Sequence, residues 1–470
     1  MIYLLFSPEI YGLAVALVFL CLSMTRPDPR RDHTVALFLS AIGVAVCLAG
    51  LPLEGSLFSG TCRVDLFSQV FKVMLFTGLF LVICLCSNLN GIEKERHSEF
   101  YLLLFVCTLS MMLLVSSVHL LTLYVALELS GYSLYVLVFL RREREYGVNS
   151  GIKYFLTGAS ASAVMLFGLA LIYGATGTAH INELSRVMPG MMRQPDVSVG
   201  LILTLCGFFF KLALFPFHFW APDVYEGAAN PVAAYVATAS KVAAIAVLIR
   251  MVALGGGHSE FLAHGLAALA IISMTVGNLS TIVQKDLKRL LAFSSVAHGG
   301  YVMIGILSMN RTGYASAVFY ALTILVLKST CFLVVVTVAD KGQNPGIDDL
   351  AGLHSRSPLL AMALMLALFG LGGIPPTIGF TGKLLLFTAA MKQGYFTLVL
   401  IAMINVVISL YYYLLVLKAA YLTEPEGEPT PLRVSGPMKV LTAALIAVMV
   451  MGGFYPNPLI ELARAAGGLM

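Results

Sequence analysis

Two stretches of the chain decide its fold, and each places proline or glycine close to a lysine inside an apolar run. Residues 207–220 read GFFFKLALFPFHFW, and residues 371–383 read LGGIPPTIGFTGK. Proline removes a backbone donor and clashes with the preceding helical turn, while glycine leaves helical geometry at low cost. Both stretches therefore predict a helix that is interrupted beside a lysine.

The chain as a whole is as apolar as a membrane protein. Hydrophobic residues make up 59% of the 470 residues and charged residues 11%, more apolar surface than a soluble core of this length buries. About 20 apolar residues cross a bilayer core roughly 30 Å thick as a helix. We predict an all-α integral membrane protein with about 14 transmembrane helices, at 2–25, 34–53, 67–89, 99–117, 119–140, 151–174, 197–217, 231–253, 260–282, 291–309, 314–338, 358–391, 395–421 and 437–455.

The two interrupted helices lie five spans apart, a pattern typical of transporters built from inverted repeats. We expect two inverted five-helix repeats, 99–254 and 260–422, each with one discontinuous helix. An N-terminal three-helix segment, 1–98, precedes them, and a C-terminal helix follows in 423–470. Because each repeat has an odd number of spans, the second is inserted upside down. Lys211 and Lys383 are then expected in related half-channels.

Five charged residues lie near the middle of predicted spans: Glu128, Lys211, Lys241, Lys328 and Lys383. Each central charge costs about 2.5 to 3.5 kcal/mol on the lower published scale. One glutamate cannot neutralise four lysines, so some lysines must be neutral part of the time or be solvated by internal water. Static contacts that only fix helix packing are the alternative. Every basic residue of this set is lysine, which unlike arginine can release its proton, so we favour proton transfer.

Further polar residues lie closer to the predicted span ends. His218 and His298 are candidate proton relays, and a histidine held by a backbone carbonyl is the alternative for each. Lys72, Lys153 and Lys418 are expected to extend to the headgroups.

The sequence indicates no cofactor or metal site in this chain. It has eight cysteines but no C-x-x-C pair, no Walker loop and no G-x-G-x-x-G motif after a strand, so redox chemistry must lie elsewhere. Lysine and arginine concentrate in alternate loops, such as 26–31, 94–96 and 285–289. By the positive-inside rule these loops are cytoplasmic, which predicts that both termini lie outside.

At these residues the chain resembles the antiporter-like subunits of proton-pumping NADH:quinone oxidoreductase, the respiratory complex I, and most closely the subunit N family. The matching stretches include LYVALELSGYSLY at 123–135, PFHFWAPDVYEGA at 216–228 and GIPPTIGFTGK at 373–383, and the similarity covers about 60–425. The resemblance implies a proton-translocating subunit of the bacterial inner membrane, driven by redox chemistry in other membrane and peripheral subunits. Flavin and iron–sulfur clusters are expected in those partners, with no cofactor in this chain and no nucleic acid partner.

The resemblance also implies roles for the buried charges. In that family the glutamate at Glu128 pairs with the lysine at Lys211, Lys241 continues a polar axis, and Lys383 completes the exit side. Lys328 departs from the pattern, since subunit N is often uncharged there while antiporter-type relatives carry a basic residue. A related hydrogenase-type complex, a stand-alone cation/proton antiporter and a scaffold with an unused polar axis are the alternatives. A cation antiporter needs ion-coordinating carboxylates at mid-depth, and Glu128 is the one available.

Overall fold

The computed structural model describes residues 2–87, 89–141, 145–255, 260–339, 342–424, 431–432 and 434–468. Most of these residues are helical. The helices are α1 (Ile2–Leu5), α2 (Ser7–Ser23), α3 (Pro29–Ala49), α4 (Leu66–Cys84), α5 (His97–Ser116), α6 (Leu120–Phe139), α7 (Glu145–Thr176), α8 (Ile181–Met191), α9 (Pro195–Leu212), α10 (Trp220–Gly227), α11 (Asn230–Ala237), α12 (Ala239–Ala253), α13 (Glu260–Ile282), α14 (Leu287–Ile306), α15 (Arg311–Val338), α16 (Leu353–Arg356), α17 (Pro358–Gly372), α18 (Ile378–Lys392), α19 (Phe396–Leu422), α20 (Gly436–Phe454) and α21 (Asn457–Gly467), with short 3-10 helices at Leu85–Ser87, Lys94–Arg96 and Asp348–Leu350.

The helices have the length and composition of membrane spans. Among the described residues, eleven helical segments are long and apolar enough to cross a bilayer, and the apolar helices Ser7–Ser23 and Pro358–Gly372 are shorter. The prediction of an all-α membrane protein is confirmed at this level.

One small β-hairpin departs from the all-helical expectation. Strand β1 (Gly55–Leu57) pairs antiparallel with β2 (Cys62–Val64) in the connection between α3 and α4. Three of the hairpin side chains, from Leu57, Cys62 and Val64, pack with Leu5 in a small apolar cluster of their own. Three-residue strands are too short to show a periodic pattern in the sequence.

The segment formed by α11 and α12 lies at the centre of the molecule. All residues from 230 to 252 are buried, and α12 packs against α4, α5, α9, α14 and α15. A helix that is apolar on all sides is stable only when it is surrounded by protein or lipid. Because α12 carries Lys241, this position puts the lysine in the middle of the bundle.

Both predicted interruptions occur, and both use the same backbone motif. Helix α9 ends before Ala213 (φ 58°) and α17 ends before Gly373 (φ 80°), two residues in the left-handed region. In each case the N–H of that residue donates to the carbonyl three positions earlier, and the next N–H donates to the carbonyl five positions before it, at 2.8 to 3.0 Å. This is the Schellman motif, which satisfies two of the last four carbonyls of a helix and leaves the final ones to other donors.

A third interruption was not predicted. The expected span 231–253 divides at Thr238, whose backbone (φ −118°, ψ −87°) separates α11 from α12. The Thr238 hydroxyl donates to the carbonyl of Ala234 at 2.7 Å. A threonine side chain that bonds to the preceding turn bends a helix without any proline. Lys241 follows three residues later.

Candidate functional site

Two buried lysines bind the carbonyls that the helix interruptions leave free. Lys241 Nζ donates to the carbonyl of Leu212, the last residue of α9, at 2.7 Å. Lys383 Nζ donates to the carbonyl of Leu371, in the last turn of α17, also at 2.7 Å. The C-terminal end of a helix carries partial negative charge, equivalent to about half an elementary charge, so it is a favourable partner for an amine. Each break therefore supplies an acceptor to one lysine.

Lys383 has a second partner in Tyr301. Its amine nitrogen lies 4.6 Å from the centre of the tyrosine ring, within the range of a cation–π interaction. The lysine is 4% exposed. It is thus held between the end of a broken helix and an aromatic face.

Lys328 is held by an unbroken helix. Its Nζ donates to the carbonyl of Leu291 at 2.9 Å and to the hydroxyl of Ser294, both on α14. The lysine is 0% exposed. Although the resemblance left the role of Lys328 open, the structure buries it as deeply as the other lysines.

Lys211 and Glu128 share one small cavity without touching each other. Lys211 Nζ donates to the hydroxyl of Ser130, and the carboxylate of Glu128 accepts a hydrogen bond from Ser162. Both charged residues line a cavity together with Tyr135 and Tyr154 among others. Their direct pairing, which the resemblance implied, is not formed within ion-pair distance. Serine hydroxyls occupy the contact positions instead.

The two candidate histidines are placed differently. His298 Nδ1 lies 2.7 Å from the hydroxyl of Tyr320, and its Nε2 lies 3.2 Å from the hydroxyl of Tyr413. Lys241, Lys328 and Lys383 all lie within electrostatic range of this imidazole. His218 lies in the interruption after α9, with its ring 5.7 Å from that of Phe215 and 4.2 Å from that of Phe219. His298 is therefore the histidine that the fold brings to the lysines.

A hydrogen bond and electrostatic proximity link the four lysines and His298 in a row. Lys211 directly precedes Leu212, whose carbonyl binds Lys241, and Lys328 lies within electrostatic range of Lys241. His298 then lies within electrostatic range of Lys383. In the part of the chain that the structure describes, none of the four amines has a carboxylate oxygen within 4.0 Å. Uncharged oxygens hold all four.

Lys211 and Lys383 lie on opposite sides of their helix breaks. Lys211 belongs to α9, before the break, whereas Lys383 belongs to α18, after it. Aligning Pro216 with Pro376 places Lys383 opposite Asp223, because both residues follow the proline by seven positions. The two lysines therefore occupy different positions relative to the two breaks.

The expectation for Lys72 is wrong. Lys72 is 0% exposed and its amine lies 2.7 Å from the carboxylate of Glu9, which is 1% exposed. Lys153 and Lys418, in contrast, are exposed as expected. The position of a residue along one span indicates only its depth in the membrane. The neighbouring helix α2 places the Glu9 carboxylate beside Lys72 and keeps the lysine from the surface.

Other buried charges were missed for the same reason. Arg250 donates to the carboxylate of Asp65 at 3.0 and 3.1 Å. Arg141 and Lys288 each donate at 2.8 Å to the carbonyl of Ala228, just beyond α10. Each contact joins residues more than 50 positions apart, so no local sequence pattern signals it.

Comparison with known proteins shows the family of the chain. A family profile described as "NADH:quinone oxidoreductase/Mrp antiporter, TM" matches residues 117–409. A protein of Syntrophobacter fumaroxidans named NADH-quinone oxidoreductase subunit N 2 is 62% identical over 98% of this chain and 98% of its own length.

Two solved structures share the fold. A chain of respiratory complex I from Thermus thermophilus with bound aureothin is 34% identical, with a TM-score of 0.85 over 97% of this chain and 99% of that one. A chain of the Mrp complex from Dietzia has the same fold, with a TM-score of 0.89 over 100% and 97% of the two chains, at 21% identity. The chain belongs to the subunit N family of NADH-quinone oxidoreductase, the antiporter-like membrane subunits of respiratory complex I.

Proposed function

We propose that this chain moves protons through the complex from the partly buried Glu128 along the row of buried residues, which runs from Lys211 through Lys241, Lys328 and His298 to Lys383. The observation that carries the proposal is the binding of Lys241 and Lys383 to the free carbonyls of the two broken helices. A carbonyl at a helix end offers only a partial charge. An amine held in this way is positioned without being fixed in its charged form, as a carboxylate would fix it.

The energy for this movement comes from outside the chain. Redox chemistry takes place in partner subunits, which we expect to carry flavin and iron–sulfur clusters. A change in a neighbouring subunit that alters the separation of Glu128 and Lys211 changes how strongly the charge on Lys211 is stabilised. Repulsion among the other lysines then favours onward transfer. Each proton that leaves against the membrane potential requires about 2.3 kcal/mol per 100 mV.

The finer architecture belongs to the same proposal. We infer fourteen spans, with inverted repeats at 99–254 and 260–422, an N-terminal segment at 1–98 and a C-terminal helix in 423–470. The repetition of one Schellman motif, at Ala213 and at Gly373, supports the repeats. The alternation of basic loops supports termini on the outer side of a bacterial inner membrane.

The test is proton pumping by the complete complex with Lys241 replaced. Lys241→Met keeps the approximate size of the side chain and removes the titratable group. We expect quinone reduction to continue in uncoupled vesicles. In coupled vesicles we expect the number of protons pumped per electron to fall. Lys418→Met, at an exposed lysine on α19, is the control and is expected to pump normally. An unchanged proton-to-electron ratio in Lys241→Met contradicts the proposal.

A further inference from the structure

A polar face on α4 leads from an open pocket into the N-terminal helices. Asp65, Gln69 and Lys72 follow the spacing i, i+4 and i+7, which places them on one side of the helix. Asp65 caps the helix and lines a pocket together with Glu54, Arg63 and Asn182. The polar residues thus begin at the rim of the pocket and reach Lys72, about 9 Å along the helix from its first residue.

The inner end of this face contains a cluster of polar atoms without adequate hydrogen bonds. Glu9, Gln69 and Lys72 are all at most 1% exposed. Glu9 Oε1 and Lys72 Nζ are 2.7 Å apart. Within the described residues, however, five polar atoms of this cluster make no well-directed hydrogen bond to protein. They are both carboxylate oxygens of Glu9, the oxygen and nitrogen of the Gln69 amide, and the Lys72 nitrogen. Buried polar groups of this kind are satisfied by internal water.

We propose that Glu9, Gln69 and Lys72 bind internal water and exchange protons with the pocket at Asp65, as a proton-binding site separate from the lysine row. In the exchange a proton passes from the Lys72 ammonium to the Glu9 carboxylate, so one N–H bond breaks, one O–H bond forms and the pair becomes neutral. The reverse transfer restores the two charges. Water carries protons between this pair and the pocket past Gln69.

Among the residues that the structure describes, few charged or titratable groups surround the pair. Cys47 on α3 and Cys62 on the hairpin lie within electrostatic range of both Glu9 and Lys72. At the pocket, Asp65 is held by Arg250 at 3.0 Å and by Arg63 at 3.4 Å. Because the carboxylate of Asp65 is paired with two arginines, we assign it a structural role at the rim of the pocket. The Glu9–Lys72 pair is then the group that exchanges the proton.

The site opens to one side. Beyond Lys72 the same face of α4 continues with Phe76 and Leu79, which are 1% and 0% exposed. Buried apolar side chains give water no hydrogen-bond partners, so the hydrated path ends at the pair. The cluster takes up and releases protons at one surface and does not form a second channel across the membrane.

Infrared spectroscopy of the isolated complex tests whether water reaches the pair. In Lys72→Met, Glu9 is left buried without a cation and takes up a proton. We expect a new band of a protonated carboxyl group, which the double variant Glu9→Gln/Lys72→Met lacks. In D2O the band is expected to shift within seconds, and adding Gln69→Leu is expected to slow that shift at least tenfold. Lys392→Met, at an exposed lysine, is expected to give no band.

Three results overturn the proposal: no band that depends on Glu9, a Glu9 band that keeps its proton for hours in D2O, or exchange that Gln69→Leu leaves unchanged. If Lys72→Met does not assemble, Lys72→Gln retains a neutral donor and is analysed in the same way. None of these measurements involves Lys241 or Lys383, so the outcome is independent of the pumping row.

Discussion

Two substitutions of Lys383 distinguish whether this residue carries protons or only supplies a fixed positive charge. Lys383→Arg keeps the positive charge and N–H donors for the carbonyl of Leu371, but a guanidinium does not release its proton in proteins. Lys383→Met keeps an unbranched side chain and removes both the donor and the charge. If the amine passes protons, we expect both variants to pump far fewer protons per electron than the natural chain.

The stability of the Met variant follows from the contacts of Lys383. Its hydrogen bond to Leu371, 2.7 Å long, leaves a buried carbonyl unpaired when removed, at a cost of about 1–3 kcal/mol. The contact with Tyr301 contributes a further 0.5–2 kcal/mol or so. Removing a charge from mid-membrane recovers about 2.5–3.5 kcal/mol. These amounts nearly cancel, so we expect assembly to survive and the loss of pumping to have a chemical cause.

The assay is proton uptake by vesicles that contain the complete complex, measured together with the rate of quinone reduction. Lys392→Met changes an exposed lysine on the same helix and is expected to behave like the natural chain. Normal pumping by Lys383→Arg together with failure of Lys383→Met refutes the reasoning, because a permanent positive charge would then suffice. Normal pumping by both variants would show that Lys383 is not on the path.

Three further outcomes are expected. Gly373→Ala puts a Cβ at φ 80° and 3.0 Å from the Lys383 Cδ, so thermal unfolding should show a loss of about 1–2 kcal/mol together with weaker pumping. Tyr320→Phe removes the 2.7 Å contact with His298 and should cost about 0.5–1.5 kcal/mol in the same assay. Burial and the Glu9 carboxylate raise the pKa of Cys62, which lowers the thiolate fraction at any given pH, so alkylation followed by mass spectrometry should be slower between pH 7 and 9 than in the unfolded chain.

The broken helices could be predicted because their cause is local. A run such as LGGIPPTIGFTGK contains within itself the residues that prevent a regular helix. The mid-span position of Lys241 and Lys383 is also a one-dimensional property, and counting residues from the span ends was enough to find it. The same count brought Glu128, Lys211 and Lys328 into the candidate site.

Partners across the bundle could not be predicted in this way. Lys72 was expected at the surface because it lies near one end of its span, yet Glu9 on another helix holds it inside. Ser130 and Ser162 separate Lys211 from Glu128, and nothing in the sequence distinguishes these serines from others in membrane helices, where hydroxyls commonly bond across or along helices. Such contacts depend on which faces meet, and a single sequence does not fix this.

The partners of the row differ in kind from the partner of Arg250. Lys241 and Lys383 bind carbonyls, and Lys211 binds a serine hydroxyl, whereas Arg250 binds a carboxylate. A carbonyl accepts a hydrogen bond from an ammonium and from a neutral amine alike, and a hydroxyl can turn to donate or to accept. These partners therefore remain satisfied in either protonation state of the lysine. A carboxylate stabilises only the charged state. It therefore suits a permanent ion pair such as that of Arg250, whereas beside Lys241 or Lys383 it would keep the proton on the lysine. The broken helices thus give the lysines partners that position them and still allow the proton to leave.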